Sequence, residues 1–229
     1  VIVLKEQEIR DAVRNALRED VGTGDVTTLA CVPPDRMARA VLCAREPLVL
    51  AGLAFAREAF RQESPNVRFQ EPHRDGARLN AGDVALEISG SARALLTAER
   101  VALNYVQRLS GVATATAQFV HAVDGTRARI LDTRKTTPGW RRFEKYAVAC
   151  GGGTNHRTGL FDLVLIKDNH LAALADATPN AIAAAVRRAR DAWPTLRVEV
   201  EVDTLAQLDQ AVAAGADIIL LDNMSLGDL

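Results

Sequence analysis

The sequence predicts an α/β protein of two domains, the second of which contains a parallel sheet. In the C-terminal half, four apolar runs alternate with polar or helical segments, as in repeated strand–helix units. The N-terminal half mixes short β-like runs with amphipathic helices, which indicates a separate mixed α/β domain. At 229 residues the chain is long enough for one large domain or two modest ones. We place the two domains at residues 1–108 and 109–229.

The N-terminal domain begins with a predicted helix at residues 6–18. Apolar residues recur there at the spacing of one helix face, and the glycines Gly22 and Gly24 follow, where the helix is expected to end. Four β-like runs come next, with a helical segment at residues 53–61 among them. The four runs cover residues 38–44, 48–50, 67–70 and 84–89.

A long helical stretch from Ser91 to Val123 connects the two domains. We expect it to break near Ser110 and Gly111, because glycine disfavours a helix interior. Beyond it, four strands are predicted at residues 128–131, 163–166, 198–200 and 217–221. Helices are predicted at residues 179–192 and 204–214, the second ended by Gly215. This order predicts a parallel sheet, either open or closed into a barrel.

Composition excludes several classes of protein. The 28 Lys and Arg residues nearly balance 29 Asp and Glu residues, so bulk charge does not favour a nucleic-acid partner. The longest stretch without these charged residues, 109–123, has fifteen residues, fewer than the roughly 20 that span a bilayer. The N-terminus lacks the apolar core of a signal peptide. We therefore expect a cytoplasmic protein without a membrane helix.

Ionisable side chains follow each of the four predicted strands of the second domain. They belong to Asp132-Thr133-Arg134-Lys135, to Lys167-Asp168-Asn169-His170, to Glu201 and Asp203, and to Asp222. The carboxyl ends of barrel strands form one rim from which catalytic groups project, so these side chains are candidates for a shared site. The alternative is that each charge simply marks a strand leaving the core for water.

Positive charge is concentrated between residues 132 and 170, a segment that contains nine Lys, Arg and His residues but only four Asp and Glu residues. Arginine offers a planar fork that matches carboxylate or phosphate, so we expect an anionic small molecule as ligand. The alternative is a solvated basic face.

The triple glycine at residues 151–153 either presents backbone N–H groups to an oxyanion or forms a flexible turn. His156 and His170 lack the spacing of zinc ligands, whereas Glu201 and Asp222 are suited to bind Mg²⁺ through water.

Six motifs together resemble the quinolinate phosphoribosyltransferase family, the decarboxylating enzymes of NAD biosynthesis. The resemblance covers essentially the whole chain. The motifs are EDVGTGDVTT at residues 19–28, AERVALN at 98–104, LSGVAT at 109–114, DTRKTTPG at 132–139, NHR at 155–157 and LIKDNH at 165–170.

The resemblance implies an N-terminal α/β sandwich followed by an incomplete α/β (TIM-like) barrel, in a homodimer with active sites at its interface. The family continues past the strand that precedes Asp222, so C-terminal barrel strands are expected to be missing from this chain. By the same resemblance, quinolinate would be bound by Arg134, His156, Arg157 and Lys167, with Arg100 from the other subunit. Thr133 would be a further substrate-binding residue. Phosphoribosyl pyrophosphate and Mg²⁺ would be bound by Lys135, Glu201 and Asp222.

The implied reaction is a decarboxylating phosphoribosyl transfer in which the pyridine nitrogen of quinolinate attacks the ribose. Lys135, Lys167, Glu201 and Asp222 are the implied catalytic residues, and we place Lys135 or Lys167 near the departing carboxylate. Three alternatives stay open: a Schiff-base aldolase using Lys167, a same-fold paralogue of molybdate transport loci with another substrate, and a non-catalytic binding module.

Overall fold

The computed structural model describes residues 2–229 and has a mixed α/β fold. It consists of two compact units, the first ending at His156 and the second covering Arg157–Leu229. Each unit has its own hydrophobic core. The predicted domain boundary between residues 108 and 109 stays a prediction. Within residues 2–229, no helix is both long enough and apolar enough to cross a bilayer.

The first unit opens with two helices, α1 (Glu6–Val21) and α2 (Val26–Cys31). The predicted first helix is confirmed, and it ends at Gly22, whose φ of 56° is easily reached by glycine. Helix α2 was not predicted from the sequence. Its N-cap is Asp25, whose carboxylate accepts a hydrogen bond from the Thr28 backbone at 2.9 Å.

Five strands and one helix follow α2. The antiparallel sheet of the first unit has the order β1-β5-β3, and β2 pairs with β4 in a separate two-stranded ladder. The elements are β1 (Met37–Cys43), β2 (Leu48–Val49), α3 (Leu53–Glu63), β3 (Arg68–Gln70), β4 (Arg78–Leu79) and β5 (Val84–Ser91). All four predicted β-like runs are therefore strands, and β4 is an additional one.

Helix α4 (Ala92–Ala122) is continuous, so the predicted break near Ser110 and Gly111 is wrong. The Ser110 hydroxyl accepts a hydrogen bond from the Ala51 backbone N–H at 3.0 Å and lies 3.2 Å from the Ala51 carbonyl, which fixes the helix at this point. Glycine costs a helix interior about 1 kcal/mol. Packing along 31 residues outweighs that cost, because thirteen residues of α4 are buried.

An aromatic stack fixes the next helix, α5 (Arg141–Cys150), against α3 and α4. Tyr105 lies between Phe55 and Trp140, with ring-centroid separations of 4.6 and 4.9 Å. Phe143, in the first turn of α5, meets Phe55 edge-on at 4.9 Å. Such contacts are geometrically specific as well as apolar, so the position of α5 is well defined.

The segments on either side of α5 differ from the predictions. Residues 128–131, all of them described, form no strand, and only Leu131 makes a parallel bridge, with Thr154. Arg129 and Leu131 are exposed there, so little apolar surface is available to stabilise a longer ladder. On the other side of α5, the triple glycine lets the backbone pack closely against α4 and against the end of α5. A Cβ on Gly151 would overlap the carbonyl of Ala113 in α4, and one on Gly153 would lie 2.6 Å from a Val148 methyl.

The second unit contains a parallel sheet, as predicted, built from three of the four predicted strands in the order β6-β7-β8. Alternating residues of the central strand, Val198, Val200 and Val202, are fully buried. The three strands are parallel, so their carboxyl ends lie at one edge of the sheet. The elements are β6 (Val164–Ile166), α6 (Asp168–Ala172), α7 (Ala181–Ala192), β7 (Val198–Val202), α8 (Leu205–Ala213) and β8 (Ile218–Leu221).

Candidate active site

The predicted site residues of the first unit lie mainly on the loop of residues 132–137, between the Leu131 bridge and α5. Asp132 begins this loop, and its side chain is 5% exposed. Its carboxylate forms an ion pair with Lys145 and accepts hydrogen bonds from the Asn155 side chain at 2.7 Å and the His156 backbone at 2.8 Å. Asp132 thus holds the loop and is not available to a ligand.

Arg134 is the partly buried cation of the loop. Its Nε atom is buried and has no hydrogen-bond partner among residues 2–229. A buried donor without a partner costs about 1–3 kcal/mol, so this position favours an acceptor supplied by a ligand. Lys135 is exposed, and its backbone N–H donates to the Thr133 hydroxyl at 3.0 Å. The Thr133 side chain therefore tightens the turn that presents Arg134 and Lys135.

Glu144, from the first turn of α5, holds the other end of the loop. Its carboxylate accepts hydrogen bonds from the Thr137 hydroxyl at 2.8 Å, the Thr137 backbone at 3.2 Å and Arg108 at 2.7 Å. Burial raises the pKa of Glu144, but the hydrogen bonds from Arg108 and Thr137 outweigh burial and the net pKa is below its usual value.

The backbone of His156 is held on both sides. Its N–H donates to Asp132 at 2.8 Å, and its carbonyl accepts from Lys145 Nζ at 3.1 Å. The neighbouring Asn155 side chain donates to Asp132 and to the Lys145 carbonyl, and its oxygen accepts from the Ile2 backbone at 2.9 Å. The structure therefore brings the DTRKTTPG and NHR motifs together around Lys145.

Arg100 lies apart from this loop. It is exposed on α4 and lines a cavity of about 880 Å³ together with Arg45, Glu99 and Gln107. None of residues 132–137 lines that cavity. Within the first unit, Arg100 and Arg134 therefore occupy different surfaces.

In the second unit, Lys167 follows β6 and Glu201 lies in β7. The pairing of Ile166 with Val200 brings the two side chains side by side, and Lys167 Nζ is 2.5 Å from the Glu201 carboxylate. The Lys167 side chain is 41% exposed and that of Glu201 is 13% exposed. The Lys167 backbone N–H donates to His170 Nδ1 at 2.9 Å, which stabilises the first turn of α6.

Asp222 follows β8, at the same edge of the sheet. Its backbone N–H donates to the Val202 carbonyl at 2.9 Å, and its carboxylate accepts from the Asn223 side chain at 3.0 Å. Glu201 pairs with Leu220, so the two-residue alternation of a strand is expected to place Asp222 on the side of the sheet that carries Glu201. No three His, Cys, Asp or Glu side chains among residues 2–229 are grouped closely enough to bind a metal.

Arg157 begins the second unit and precedes a tight turn. Asp162 closes the turn by accepting hydrogen bonds from the Thr158 backbone at 2.7 Å and the Gly159 backbone at 3.0 Å. Burial raises the pKa of Asp162, but these hydrogen bonds outweigh burial and the net pKa is lowered. The turn fixes the chain immediately after Arg157.

Sequence reasoning did not identify the anchoring roles of Arg108, Glu144 and Lys145. Their signal is weak, because charged residues inside an amphipathic segment usually face solvent. Asp132 and Asn155 do lie in recognised motifs, but the sequence alone gave no reason to separate anchors from ligand-binding residues.

The fold agrees with that of a solved structure over nearly its full length. NadC from Streptococcus pyogenes matches 99% of this chain and 79% of its own, with 47% identity and a TM-score of 0.93. The fold and this match define a mixed α/β enzyme with an N-terminal and a C-terminal domain.

Comparison of the sequence identifies the family. The models for the N-terminal and C-terminal domains of quinolinate phosphoribosyl transferase match residues 25–110 and 112–229. A carboxylating nicotinate-nucleotide pyrophosphorylase from Mycobacterium leprae is 48% identical over 219 residues, covering 93% of this chain and 75% of that protein. A probable enzyme of the same name from Bacillus subtilis is 43% identical over 94% of this chain and 73% of its own. The chain belongs to the quinolinate phosphoribosyltransferase family.

Proposed function

We propose that this chain transfers the phosphoribosyl group of phosphoribosyl pyrophosphate to quinolinate with loss of CO₂, giving nicotinate mononucleotide and pyrophosphate for NAD biosynthesis. The names of the relatives support this reaction, since a carboxylating nicotinate-nucleotide pyrophosphorylase is the same enzyme named for the reverse direction. The observation that carries the proposal is the buried, unpartnered Nε of Arg134 on a loop held at both ends. This buried N–H donor is suited to a carboxylate acceptor, and quinolinate carries two carboxylates.

Quinolinate carries two adjacent carboxylates and therefore needs several convergent cations. We assign Arg134, His156, Arg157 and Lys167 to this role, with Thr133 shaping the turn before Arg134. A unit charge pair at 4 Å contributes about 4 kcal/mol at an effective dielectric constant near 20, so loss of one cation should be measurable. Arginine also orients the ring, because its fork binds a carboxylate through two parallel hydrogen bonds.

The transfer step needs no protein nucleophile. The lone pair of the pyridine nitrogen forms the bond to C1 of the ribose, while the bond from C1 to pyrophosphate breaks and its electron pair leaves with pyrophosphate. Positive charge develops on the ribose during this step. Glu201 and Asp222 are the acids that we assign to this position, and Lys135 is the cation assigned to the phosphates.

Decarboxylation follows on the ribosylated ring. The bond between the ring carbon and the neighbouring carboxylate breaks, its electron pair stays on the ring carbon beside the cationic nitrogen, and a proton then replaces CO₂. We place Lys135 or Lys167 near the departing carboxylate. The Lys167 amine would have to leave its 2.5 Å contact with Glu201 before it could attack a carbonyl, which disfavours the Schiff-base alternative.

Mg²⁺ fits the donor chemistry of Glu201 and Asp222. The ion prefers oxygen ligands and usually takes one or two carboxylates, with waters and substrate phosphates as the remaining ligands. When bound, it would neutralise charge on the pyrophosphate. Because one Glu201 oxygen contacts Lys167, we assign binding through water and through Asp222.

The active enzyme in this proposal is a homodimer in which Arg100 enters the partner's site. Arg100 is exposed and lines a cavity to which none of residues 132–137 contributes, and this supports the arrangement. We also assign β6, β7 and β8 to an incomplete α/β (TIM-like) barrel, which is consistent with their parallel order. The cytoplasmic location and the absence of a nucleic-acid partner stay predictions.

The decisive experiment measures labelled CO₂ released from carboxyl-labelled quinolinate in the presence of phosphoribosyl pyrophosphate and Mg²⁺. We expect release to require all three components and to match the nicotinate mononucleotide formed. Glu71→Gln is the control variant and should keep the activity, because Glu71 lies in the first unit and pairs with Arg57 of α3. A folded protein that releases no CO₂ would overturn the proposal and favour the paralogue or the binding module.

A further inference from the structure

Two neighbouring charged residues of α5, Glu144 and Lys145, lie in the interior of the first unit. Glu144 is 7% exposed and Lys145 is fully buried. Burying a charge costs several kcal/mol unless partners compensate it, and a pair of apolar residues often gives equal stability. Neither residue is among those assigned above to the substrates. Their burial therefore calls for an explanation other than stability alone.

The two side chains reach opposite ends of the same loop. Lys145 forms an ion pair with Asp132, the first loop residue, while Glu144 accepts two hydrogen bonds from Thr137, the last. Successive helical residues point about 100° apart, so adjacent positions on one helix can reach two separate anchors. Arg134 lies between these anchors.

Lys145 and its partner Asp132 also fix His156 of the NHR motif. Lys145 Nζ donates to the His156 carbonyl at 3.1 Å, and Asp132, its ion-pair partner, accepts from the His156 N–H at 2.8 Å. One buried lysine thus relates the position of His156 to that of Arg134. Both are residues that the proposed function assigns to quinolinate.

Helix α5 is itself a fixed support. Phe143 packs edge-on against Phe55 and Trp140, and Gly151, just after the helix, approaches the Ala113 carbonyl too closely for any side chain. Arg108 of α4 adds a hydrogen bond to Glu144. The loop anchors are therefore connected directly to the hydrophobic core.

We propose that Glu144 and Lys145 are positioning residues that set the geometry of the quinolinate-binding cations. Neither contacts substrate; Lys145 fixes Asp132 and His156, and Glu144 fixes Thr137. This inference rests on the proposed function, because it concerns the same site. Freeing one end of the loop should let Arg134 sample more positions, so quinolinate affinity falls. Phosphoribosyl pyrophosphate affinity should fall less, because only Lys135 of its three assigned residues lies on the loop.

The first measurement is hydrogen exchange of the ligand-free protein, followed by mass spectrometry of peptides covering residues 132–139. In Glu144→Gln and Thr137→Val we expect faster exchange in this loop and unchanged exchange in α3. Glu71→Gln is the control, because it removes a carboxylate that pairs with an arginine, Arg57, outside α5, and it should leave exchange in the loop unchanged. Unaltered loop exchange in both loop-end variants would overturn the proposal.

The second measurement is calorimetric titration with quinolinate and, separately, with phosphoribosyl pyrophosphate. We expect about tenfold weaker quinolinate binding in Thr137→Val and Glu144→Gln, since small displacements of binding groups have large effects. Phosphoribosyl pyrophosphate binding should weaken by a clearly smaller factor, which is the split that a merely structural role would not produce. Equal loss for both ligands, or no loss for quinolinate, contradicts positioning.

Lys145→Met tests the other anchor, with Lys145→Arg as the conservative partner. If Lys145→Met fails to fold, Thr137→Val still tests the loop, because Thr137 is a surface residue and the substitution removes only its hydroxyl group. Should the unmodified protein bind no quinolinate, the proposed function fails. The exchange experiment would then decide separately whether Glu144 and Lys145 hold the loop.

Discussion

Lys167 Nζ lies 2.5 Å from the Glu201 carboxylate, across two adjacent parallel strands of the second unit. The contact joins one residue assigned to quinolinate and another assigned to the phosphoribosyl side. A change at either residue therefore alters the electrostatic environment of the other, and mutants of Glu201 must be interpreted with that in mind.

Glu201→Gln and Asp222→Asn should each raise the Mg²⁺ concentration needed for half-maximal turnover, because each removes a negative charge from the proposed metal shell. The fold should survive in both, since Asp222 follows β8 and Glu201 is the penultimate residue of β7. Glu201→Gln should also alter quinolinate affinity through Lys167, whereas Asp222→Asn should not. An unchanged Mg²⁺ dependence in both variants would mean that these acids only end strands.

Arg134→Ala should weaken quinolinate binding more than phosphoribosyl pyrophosphate binding. The substitution removes a two-pronged carboxylate partner, and Arg134→Lys should restore little because an ammonium cannot copy the fork. Separate titration of each ligand measures the difference. Quinolinate affinity equal to that of the unmodified protein would exclude Arg134 from the pocket.

Mixed dimers test whether Arg100 is donated across an interface. Arg100→Ala and Arg134→Ala homodimers should each be nearly inactive. Refolding equal amounts together should make about half of the dimers mixed, each with one intact site, and restore about a quarter of the parental activity. The control is each mutant refolded alone. A mixture that stays inactive, although size-exclusion chromatography shows dimers, argues against the donation.

The lowered pKa of Glu144 predicts a pH-dependent contribution to stability. A carboxyl whose pKa is lower in the folded than in the unfolded protein stabilises the fold above its unfolded value, about 4.5 for Glu, and the benefit is lost as pH falls through the folded pKa. Denaturant unfolding of Glu144→Gln should therefore show a larger deficit at pH 7 than in strong acid. A deficit that is constant with pH would contradict the prediction.

Gly151→Ala should destabilise the first unit by about 1–3 kcal/mol, since its Cβ would overlap the Ala113 carbonyl, a backbone atom that cannot easily move. Gly111→Ala is the control. Gly111 lies inside α4 with open space at its Cβ position, so alanine there should be neutral or stabilising by up to about 1 kcal/mol. Thermal unfolding distinguishes the two. Equal effects would mean that close packing at Gly151 is unimportant.

The parallel sheet of the second unit could be predicted because its strands are short apolar runs between recognisable helices. The end of α1 at Gly22 could also be predicted, because a glycine directly follows a regular helical pattern of apolar residues. The continuity of α4 could not be predicted, because contacts distant in sequence, such as that of Ser110 with Ala51, compensate for Gly111. Local propensity does not contain this information.

The candidate site divides in the same way. The DTRKTTPG motif pointed to Arg134, although the strand predicted before it is only a bridge at Leu131. Strand-end position pointed to Lys167, which follows β6. Helix α5 was not predicted, because the buried positions of Glu144 and Lys145 would be apolar in an ordinary amphipathic helix. Their role depends on three-dimensional contacts with Asp132 and Thr137, and charged residues in a sequence give no sign of whether they face water or each other.

The buried pair of Asp132 and Lys145 also changes how the basic segment should respond to ionic strength. Lys145 is buried and forms an ion pair with Asp132, and Arg142 is paired with Glu8 at 2.5 Å. Fewer cations therefore contribute to the external field than the sequence count suggests. Added salt screens exposed charges over a Debye length of about 8 Å at physiological ionic strength and affects buried pairs much less. Substrate capture should accordingly decline only gently with salt, while the architecture of the loop persists.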